Sequence, residues 1–278
     1  MESISGIWQS YGLKQDPRTY GYPLVTNPVF VSTVIATYLY IVRNGERWME
    51  DRKPMDLRWV MRVHNLFMVI ANVAFIAICF PLTYGNGSYS LFCQGITGRD
   101  DYASRLLIRS GFYYIFVRYL DFFDTFFFIL KKKFSHVSNL HVIHHTIVAF
   151  NASFFFGFAP EGQPGLGLFI NASIHVIMYG YYFMATFPAL RKYLWWKKYL
   201  TQLQIGQFIF AIFHMSIPLV YDCGFPRYLV YFATSQVILI LGLFLNFYVK
   251  TYLTRRREER EQVLAAITPP ATEPKKQL

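Results

Sequence analysis

The sequence predicts an all-α polytopic membrane protein with seven transmembrane helices. Its 278 residues are 54% hydrophobic and 19% aromatic, which is more apolar surface than one soluble domain of this length buries. A helix spans a bilayer with about 20 consecutive apolar residues. Runs close to this length cover residues 27–42, 63–84, 106–130, 140–159, 165–187, 200–221 and 226–249, and the first of them is short.

The runs divide the chain into three parts. Residues 1–26 form a polar N-terminal segment without the basic and apolar pattern of a cleaved signal peptide. Residues 27–250 form the membrane domain, which carries all the candidate catalytic residues. Residues 251–278 form a basic tail that contains "RRREEREQ" and then three prolines, which block a continuing helix. We expect this tail to be disordered.

The distribution of basic residues predicts the orientation of the bundle. If the seven runs span the membrane, twenty of the 27 Lys and Arg residues lie on one side, six lie on the other, and Arg118 lies inside a span. Because Lys and Arg are enriched on cytoplasmic loops, the N-terminus is predicted to be lumenal and the C-terminus cytosolic. Topology therefore explains the net charge of +11 without a nucleic-acid partner, although "KTYLTRRREER" can also contact anionic lipid.

Three of the predicted spans carry clusters of polar residues. A polar side chain in hydrocarbon is expensive and normally faces the bundle interior, so each is a functional candidate. The third span carries Arg118, Asp121, Asp124 and Thr125, and the fourth, "NLHVIHHTIV", carries His141, His144 and His145, each set on one helical face. The fifth carries Asn171, His175, Tyr179 and Tyr182. We interpret the single histidines His64 and His214 as structural or interfacial.

Two kinds of chemistry fit the histidine cluster. The HxxHH spacing is found in di-iron proteins, but membrane di-iron oxygenases use several such boxes, and this chain has one box and seven histidines in all. Zinc held by a histidine pair and a carboxylate stays open. Imidazole as a general acid, general base or nucleophile fits better, because no serine or cysteine nucleophile lies nearby. We therefore expect no metal and no other cofactor.

The depth of the histidines suggests the class of substrate. His141 follows the three lysines at 131–133 by about eight residues, which at about 1.5 Å per residue is one to two helical turns below the cytosolic surface. "RKYLWWKK" borders the same surface. A long-chain acyl-CoA fits a basic mouth above an apolar interior. Lys131, Lys197 and Lys198 are candidate ligands of CoA phosphates, and their alternative role is to fix the topology.

The lumenal loops and the tail carry short motifs. Asn86 lies in a glycosylation sequon of a predicted lumenal loop. Cys93 and Cys223 lie in two separate lumenal loops, where either a disulfide or two free thiols is possible. The tail ends with Lys275 and Lys276, whose spacing from the C-terminus resembles a dilysine retrieval signal of the endoplasmic reticulum. The alternative for this pair is a solvated basic tail.

Several of these motifs together resemble one known family. "RYLDFFDTFFFILKKK", "LHVIHH", "NASIHVIMYGYY" and "LWWKKYLTQLQIGQF" occur in the order and spacing of the very-long-chain fatty-acid elongases. The similarity extends from about "EDRKPMDLR" to the seventh run. It implies a seven-helix 3-oxoacyl-CoA synthase of the endoplasmic reticulum membrane. Such an enzyme condenses an acyl-CoA with malonyl-CoA and releases CO2 and CoA.

The resemblance also implies roles for single residues. It implies an acyl-imidazole on His144, with His175 close to the reacting centre and a disulfide between Cys93 and Cys223. His141 and His145 are expected to orient and protonate. One departure is that the family usually has Lys and Glu where this chain has Arg118 and Asp121. The residues expected to support the site are Arg118, Asp121, Asp124, Thr125, Asn171, Tyr179 and Gln204.

The expected partners follow from the reaction. A 3-oxoacyl-CoA product needs a ketoacyl-CoA reductase, a dehydratase and an enoyl reductase to become saturated, and a homo-oligomer is also possible. Two other functional classes stay open. A lipid transporter or receptor would use the histidines for gating, and a metal-dependent lipid-modifying enzyme would contain stoichiometric metal.

Overall fold

The computed structural model describes residues 14–254, and this part of the chain consists of helices and loops without a strand. The long tail and the dilysine pair Lys275 and Lys276 lie outside the described residues, as does the first half of the N-terminal segment. The main helices are α1 Pro28–Trp48, α2 Arg58–Leu82, α3 Tyr102–Leu120, α4 Phe122–Leu130, α5 Asn139–Phe158, α6 Pro164–Ala185, α7 Lys197–Val220 and α8 Arg227–Tyr248. Shorter helical segments are Pro17–Thr19, Pro23–Thr26, Phe134–His136, Pro188–Tyr193 and Val249–Thr254.

Each apolar run of the sequence coincides with helix, so the all-helical prediction is confirmed. The third run was predicted as one span. The run contains two helices, α3 and α4, which meet at Asp121. The backbone stays helical there, but Asp124 N–H bonds to the carbonyl three residues back instead of four, at 3.2 Å. The helix is therefore locally tighter at Asp121.

Within residues 14–254, four helices are long and apolar enough to cross a membrane by length and composition. They are Arg58–Leu82, Pro164–Ala185, Lys197–Val220 and Arg227–Thr254. The described chain is therefore a bundle in which several helices are suited to a bilayer.

Six helices form a closed ring. In the order α2, α3, α5, α8, α7, α6 each helix packs against the next, and α6 returns to α2. Helix α1 lies outside the ring against α4 and α5. Three of the six ring contacts join helices consecutive in the chain, α2 with α3, α6 with α7 and α7 with α8, and the other three join helices distant in the sequence. It places one face of each of six helices toward a common interior.

Helix α2 shows how the ring distributes polar and apolar residues. Its buried residues recur every three or four positions, and they include the amides Asn65 and Asn72. Its outward face exposes large apolar side chains, among them Val63 at 67% and Ile70 at 57%. An outer face of large apolar side chains, with amides kept among the buried residues, suits a lipid surround.

The ring has two different ends. At the first, which we call the basic end, α5 and α7 begin and α4 and α6 finish, and Lys131, Lys132 and Lys133 lie there. At the opposite end, the loop after α2 is bonded to the loop before α8 by the disulfide Cys93–Cys223, whose Cα atoms are 5.8 Å apart. We call this the disulfide end.

Buried polar contacts close the disulfide end. The Glu161 carboxylate accepts hydrogen bonds from the Thr97 and Gly98 amides, each at 3.1 Å, and from the Tyr89 hydroxyl. It also pairs with Arg18 at 2.7 Å. The hydrogen bond to Asp16 raises the pKa of the Arg18 guanidinium above its usual range, so this cation stays charged. The N-terminal segment is therefore fastened to the loops that cover this end of the ring.

Gly95 permits a close approach in the same region. A Cβ atom at this position would lie 1.9 Å from the Cys223 carbonyl oxygen. We expect Gly95→Ala to lower the free energy of unfolding by about 3 kcal/mol, because the backbone of one disulfide-linked loop must shift. Thermal unfolding in detergent measures this. Gly206→Ala is the control, since its Cβ meets nothing within 4 Å, and an equal melting temperature for the two variants would contradict the prediction.

Candidate functional site

The three histidines of the box lie in the first two turns of α5, at the basic end of the ring. The side chain of Ser138 caps this helix by accepting a hydrogen bond from the His141 amide at 3.3 Å. The rings of His141 and His145 lie 4.3 Å apart between centroids. His144 points the other way, toward Phe244 of α8, at 5.9 Å.

His144 and His145 differ in their surroundings. Within residues 14–254, neither imidazole makes a side-chain hydrogen bond, and both stay partly accessible. His145 lies between His141 and Phe122 of α4. His144 instead lies near Phe244 of the neighbouring helix α8, and Phe244 packs on Phe208 of α7 with centroids 4.9 Å apart. Both imidazoles are therefore unpaired in the described part of the chain, and His144 is the one beside the aromatic rings of α7 and α8.

A hydroxyl chain holds the first histidine of the box. Thr125 Oγ1 of α4 lies 2.8 Å from His141 Nε2 and 3.0 Å from the Tyr38 hydroxyl of α1. Tyr38 and Thr125 are both fully buried. Because each hydroxyl both donates and accepts, the chain can run in either direction and support either tautomer of His141. The outer helix α1 thus reaches the site through Tyr38.

Arg118 determines the tautomer of His175. Its Nη1 atom lies 3.0 Å from His175 Nδ1, and its Nη2 atom bonds to Asn72 Oδ1 at 3.2 Å. A guanidinium only donates hydrogen bonds, so His175 Nδ1 accepts, and the ring proton lies on Nε2. Asn72 also accepts a hydrogen bond from the Tyr114 hydroxyl at 2.7 Å. His175 is therefore fixed as a donor through Nε2, which is the function that stabilises a developing oxyanion.

Two carboxylates meet at one phenol. The Tyr179 hydroxyl oxygen lies 2.7 Å from Asp121 Oδ1 and 2.8 Å from Asp124 Oδ2. Asp121 also pairs with Arg118 at 3.3 Å between Nη1 and Oδ2. Asp124 was expected to hold an imidazole tautomer or the register of its helix. It contacts Tyr179 and lies 3.6 Å from His64 Nε2, while its neighbour Thr125 contacts His141 of the box.

Other candidate residues lie at the edge of this cluster or beyond it. Gln204 donates to Met178 Sδ at 3.5 Å, and Asn171 is half-buried without a side-chain hydrogen bond in the described part of the chain. Lys131 Nζ lies 3.6 Å from Met61 Sδ, and partial burial lowers the pKa of its ammonium. Lys197 is exposed at the start of α7, and Lys198 Nζ lies 5.8 Å from the Tyr248 ring. The three lysines lie at the basic end.

Sequence reasoning missed four members of the cluster. Tyr38, Asn72 and Tyr114 were not singled out, because a single hydroxyl or amide in an apolar helix is weak evidence. His64 was seen but interpreted as structural or interfacial, yet its Nε2 lies 3.6 Å from Asp124 Oδ1. The signal was the buried face of α2, on which His64 and Asn72 lie eight residues apart, close to the repeat of a helix.

The described residues contain no group of three or more His, Cys, Asp or Glu side chains arranged to hold a metal ion. What they do contain is a helix ring with an apolar outer surface and a cluster of histidines at its basic end. Fold and site together define a multi-pass membrane protein with clustered imidazoles.

Comparison with known proteins identifies the family. The model of the GNS1/SUR4 (ELO) family matches residues 23–260. Very long chain fatty acid elongase 5 of Xenopus laevis is 36% identical over 250 residues, which cover 89% of this chain and 83% of that protein. Very long chain fatty acid elongase 7 of Drosophila melanogaster is 37% identical over 257 residues, which cover 91% of this chain and 77% of that protein. Very long chain fatty acid elongase 5 of Homo sapiens is 36% identical over 265 residues, which cover 94% of this chain and 87% of that protein. The chain belongs to the GNS1/SUR4 family, which confirms the resemblance seen in the motifs.

Proposed function

We propose that this protein catalyses the condensing step of fatty-acid chain elongation, in which a long- or very-long-chain acyl-CoA and malonyl-CoA yield 3-oxoacyl-CoA, CO2 and CoA. Membership in the elongase family supports fatty-acid elongation as the function. The observation that supports the condensing chemistry is His144. Its imidazole is unpaired among the described residues, partly accessible, and beside the aromatic rings of α7 and α8, one to two turns from a basic surface.

The proposed reaction has two steps. An unprotonated His144 nitrogen attacks the acyl thioester, the C–S bond breaks, and the thiolate takes the proton from the resulting acyl-imidazolium. Malonyl-CoA then loses CO2, and the electron pair of that bond becomes an enolate that attacks the acyl carbon. The C–N bond to His144 breaks, and the imidazole regains a proton. His175, held as an Nε2 donor by Arg118, stabilises the oxyanions of both steps, and His141 and His145 orient the intermediate.

The proposed topology has seven spans, a lumenal N-terminus and a cytosolic C-terminus, in the endoplasmic reticulum membrane. The basic end is then the cytosolic mouth through which both CoA esters enter. A lumenal position suits the disulfide end, because that compartment is oxidising. A glycan accepted at Asn86 supports this orientation, whereas a glycan on Asn151 or Asn171 contradicts it, since these two sequons lie within α5 and α6.

The experiment that tests the function uses purified protein, malonyl-CoA and a panel of long acyl-CoAs. We expect 3-oxoacyl-CoA and CO2 in equal amounts, without added metal and without loss of activity to chelators. Absence of product with every primer would overturn the proposal and favour a transporter or receptor. Product that disappears with chelator, together with stoichiometric metal, would favour the metal-dependent enzyme. In the full cycle, the product passes to a ketoacyl-CoA reductase, a dehydratase and an enoyl reductase.

The lysines of the basic end provide a separate prediction about CoA. We expect Lys131→Gln, Lys197→Gln and Lys198→Gln each to raise the KM for both CoA substrates about threefold or more with little change in kcat, because each removes a point charge from a phosphate. Steady-state kinetics in both substrates measures this. Lys53→Gln is the control, since Lys53 is exposed in the loop before α2. Unchanged KM values in all three variants would show that these lysines do not bind CoA and would favour their alternative role in fixing the membrane topology.

A further inference from the structure

Tyr38 is a phenol from outside the ring that reaches the histidine box. It lies on α1, is 1% exposed, and stacks on Phe122 of α4 with centroids 4.0 Å apart and planes 10° from parallel. Its hydroxyl lies 3.0 Å from Thr125 Oγ1, which in turn lies 2.8 Å from His141 Nε2. Phenylalanine would fill the same space, so the buried hydroxyl is the part of this residue without an assigned function.

The number of hydrogens in this chain of hydroxyls decides its direction. Each contact alone can run either way, but the Tyr38 hydroxyl has one hydrogen, and among the described residues its one hydrogen-bond partner is Thr125 Oγ1. Thr125 is fully buried, and its hydroxyl contacts Tyr38 and His141. If Thr125 donated to the phenol oxygen, the phenol hydrogen would be buried without an acceptor, which is costly. Tyr38 therefore donates to Thr125, and the threonine hydrogen points to His141 Nε2.

The direction of the chain fixes the tautomer of His141. A ring nitrogen that accepts a hydrogen bond carries no proton, so in neutral His141 the proton lies on Nδ1. Within residues 14–254 this nitrogen makes no hydrogen bond, and it stays partly accessible. It is therefore a free donor, on a ring whose centroid lies 4.3 Å from that of His145. His175 has the opposite tautomer, because Arg118 donates to its Nδ1.

We infer that Tyr38 is a positioning residue, which acts through Thr125 to hold His141 with its proton on Nδ1 as a hydrogen-bond donor to substrate bound beside the box. A second fixed N–H donor, in addition to that of His175, stabilises negative charge on an acyl oxygen. The tautomer follows from the hydrogen bonds alone, whereas its use in catalysis rests on the proposed function. The outer helix α1 thereby contributes to the site without contacting a histidine.

The first measurement is the tautomer of His141 in the full chain in detergent. Nitrogen NMR of protein labelled at histidine distinguishes protonated from unprotonated ring nitrogens, and His141→Gln identifies the signals of this residue. We expect the proton on Nδ1 in the wild type and a mixture of tautomers in Tyr38→Phe, because Thr125 can then accept from Nε2. Tyr40→Phe is the control, since Tyr40 lies on the same helix and is 61% exposed, and it should retain the wild-type tautomer.

The second measurement is a double-mutant cycle in kcat. We expect Tyr38→Phe to lower kcat about threefold or more with little change in either KM, because kcat falls with the fraction of protein that has the active tautomer. In a Thr125→Val background, the same substitution should have no further effect, since the connection to His141 is already removed. An additional loss of kcat in that background would show that Tyr38 acts through packing and would overturn the inference.

The two measurements separate this inference from the proposed function. A wild-type His141 with its proton on Nε2, or an unchanged tautomer in Tyr38→Phe, would overturn the inference whatever the activity. A changed tautomer with the wild-type kcat would reject its use in catalysis. Lack of any product from the wild-type protein would reject the proposed function, while the tautomer would still be measured. Should Tyr38→Phe fail to fold, Thr125→Val removes the donor itself and should also release the Nδ1 tautomer.

Discussion

Replacing His144 with alanine is expected to lower the rate of 3-oxoacyl-CoA formation by at least about 10³-fold, because in the proposed reaction this residue supplies the attacking nitrogen. The same variant should form no covalent acyl adduct when it is incubated with acyl-CoA alone. Intact-protein mass spectrometry detects the adduct, and product analysis gives the rate. The loss should be in kcat with a smaller change in KM, because the lysines and the apolar interior that receive the substrate are unchanged.

Two further variants show whether the effect belongs to His144. His136→Ala removes an exposed histidine at the same end of the ring and should retain the adduct and the rate. His145→Ala removes the ring that lies beside His141, and it should slow the reaction while retaining the adduct. An adduct that survives in His144→Ala but disappears in His145→Ala would transfer the nucleophile to the neighbouring histidine. Product formation by His144→Ala at the wild-type rate would exclude an acyl-imidazole on this residue.

Much of the fold could be predicted because the chain alternates apolar runs with basic or polar loops. Every run coincides with helix, and the ends of α5 and α6 lie within one or two residues of the predicted limits. Helical periodicity also predicted part of the candidate site. Arg118 and Asp121 were assigned to one face and they form an ion pair, and His175 and Tyr179 share a stripe that faces both. Spacing along one helix is sufficient for such contacts.

The other contacts of the candidate site depend on which helices are neighbours. The sequence pattern alone cannot show that α1 lies outside the ring with Tyr38 bonded to Thr125, or that Asn72 of α2 contacts Arg118. These partners are single polar residues on apolar helices, and their role appears only once two helices pack. The boundary between α3 and α4 at Asp121 could not be predicted either, because the apolar run continues through it without a Gly or Pro.

The second large effect is expected at Arg118, which is 3% exposed and bonded to three residues. Arg118→Leu should lower the free energy of unfolding by about 3–5 kcal/mol, because the Asp121 carboxylate is left buried without its cation. The double variant Arg118→Leu with Asp121→Asn removes both charges and should regain most of that stability. Thermal unfolding of the two variants in detergent measures the difference.

Activity should not follow stability in this pair. The double variant still lacks the guanidinium that donates to His175 Nδ1, so His175 can adopt either tautomer and no longer presents a fixed Nε2 donor. We expect its kcat to stay about 10²-fold or more below wild type, with KM for acyl-CoA little changed. The kcat of Arg118→Lys should lie between those of the double variant and the wild type, because one ammonium cannot contact Asp121, His175 and Asn72 as the planar guanidinium does. If the double variant regained both stability and kcat, the role of Arg118 would be limited to the ion pair with Asp121. The prediction that it orients His175 for catalysis would then be wrong.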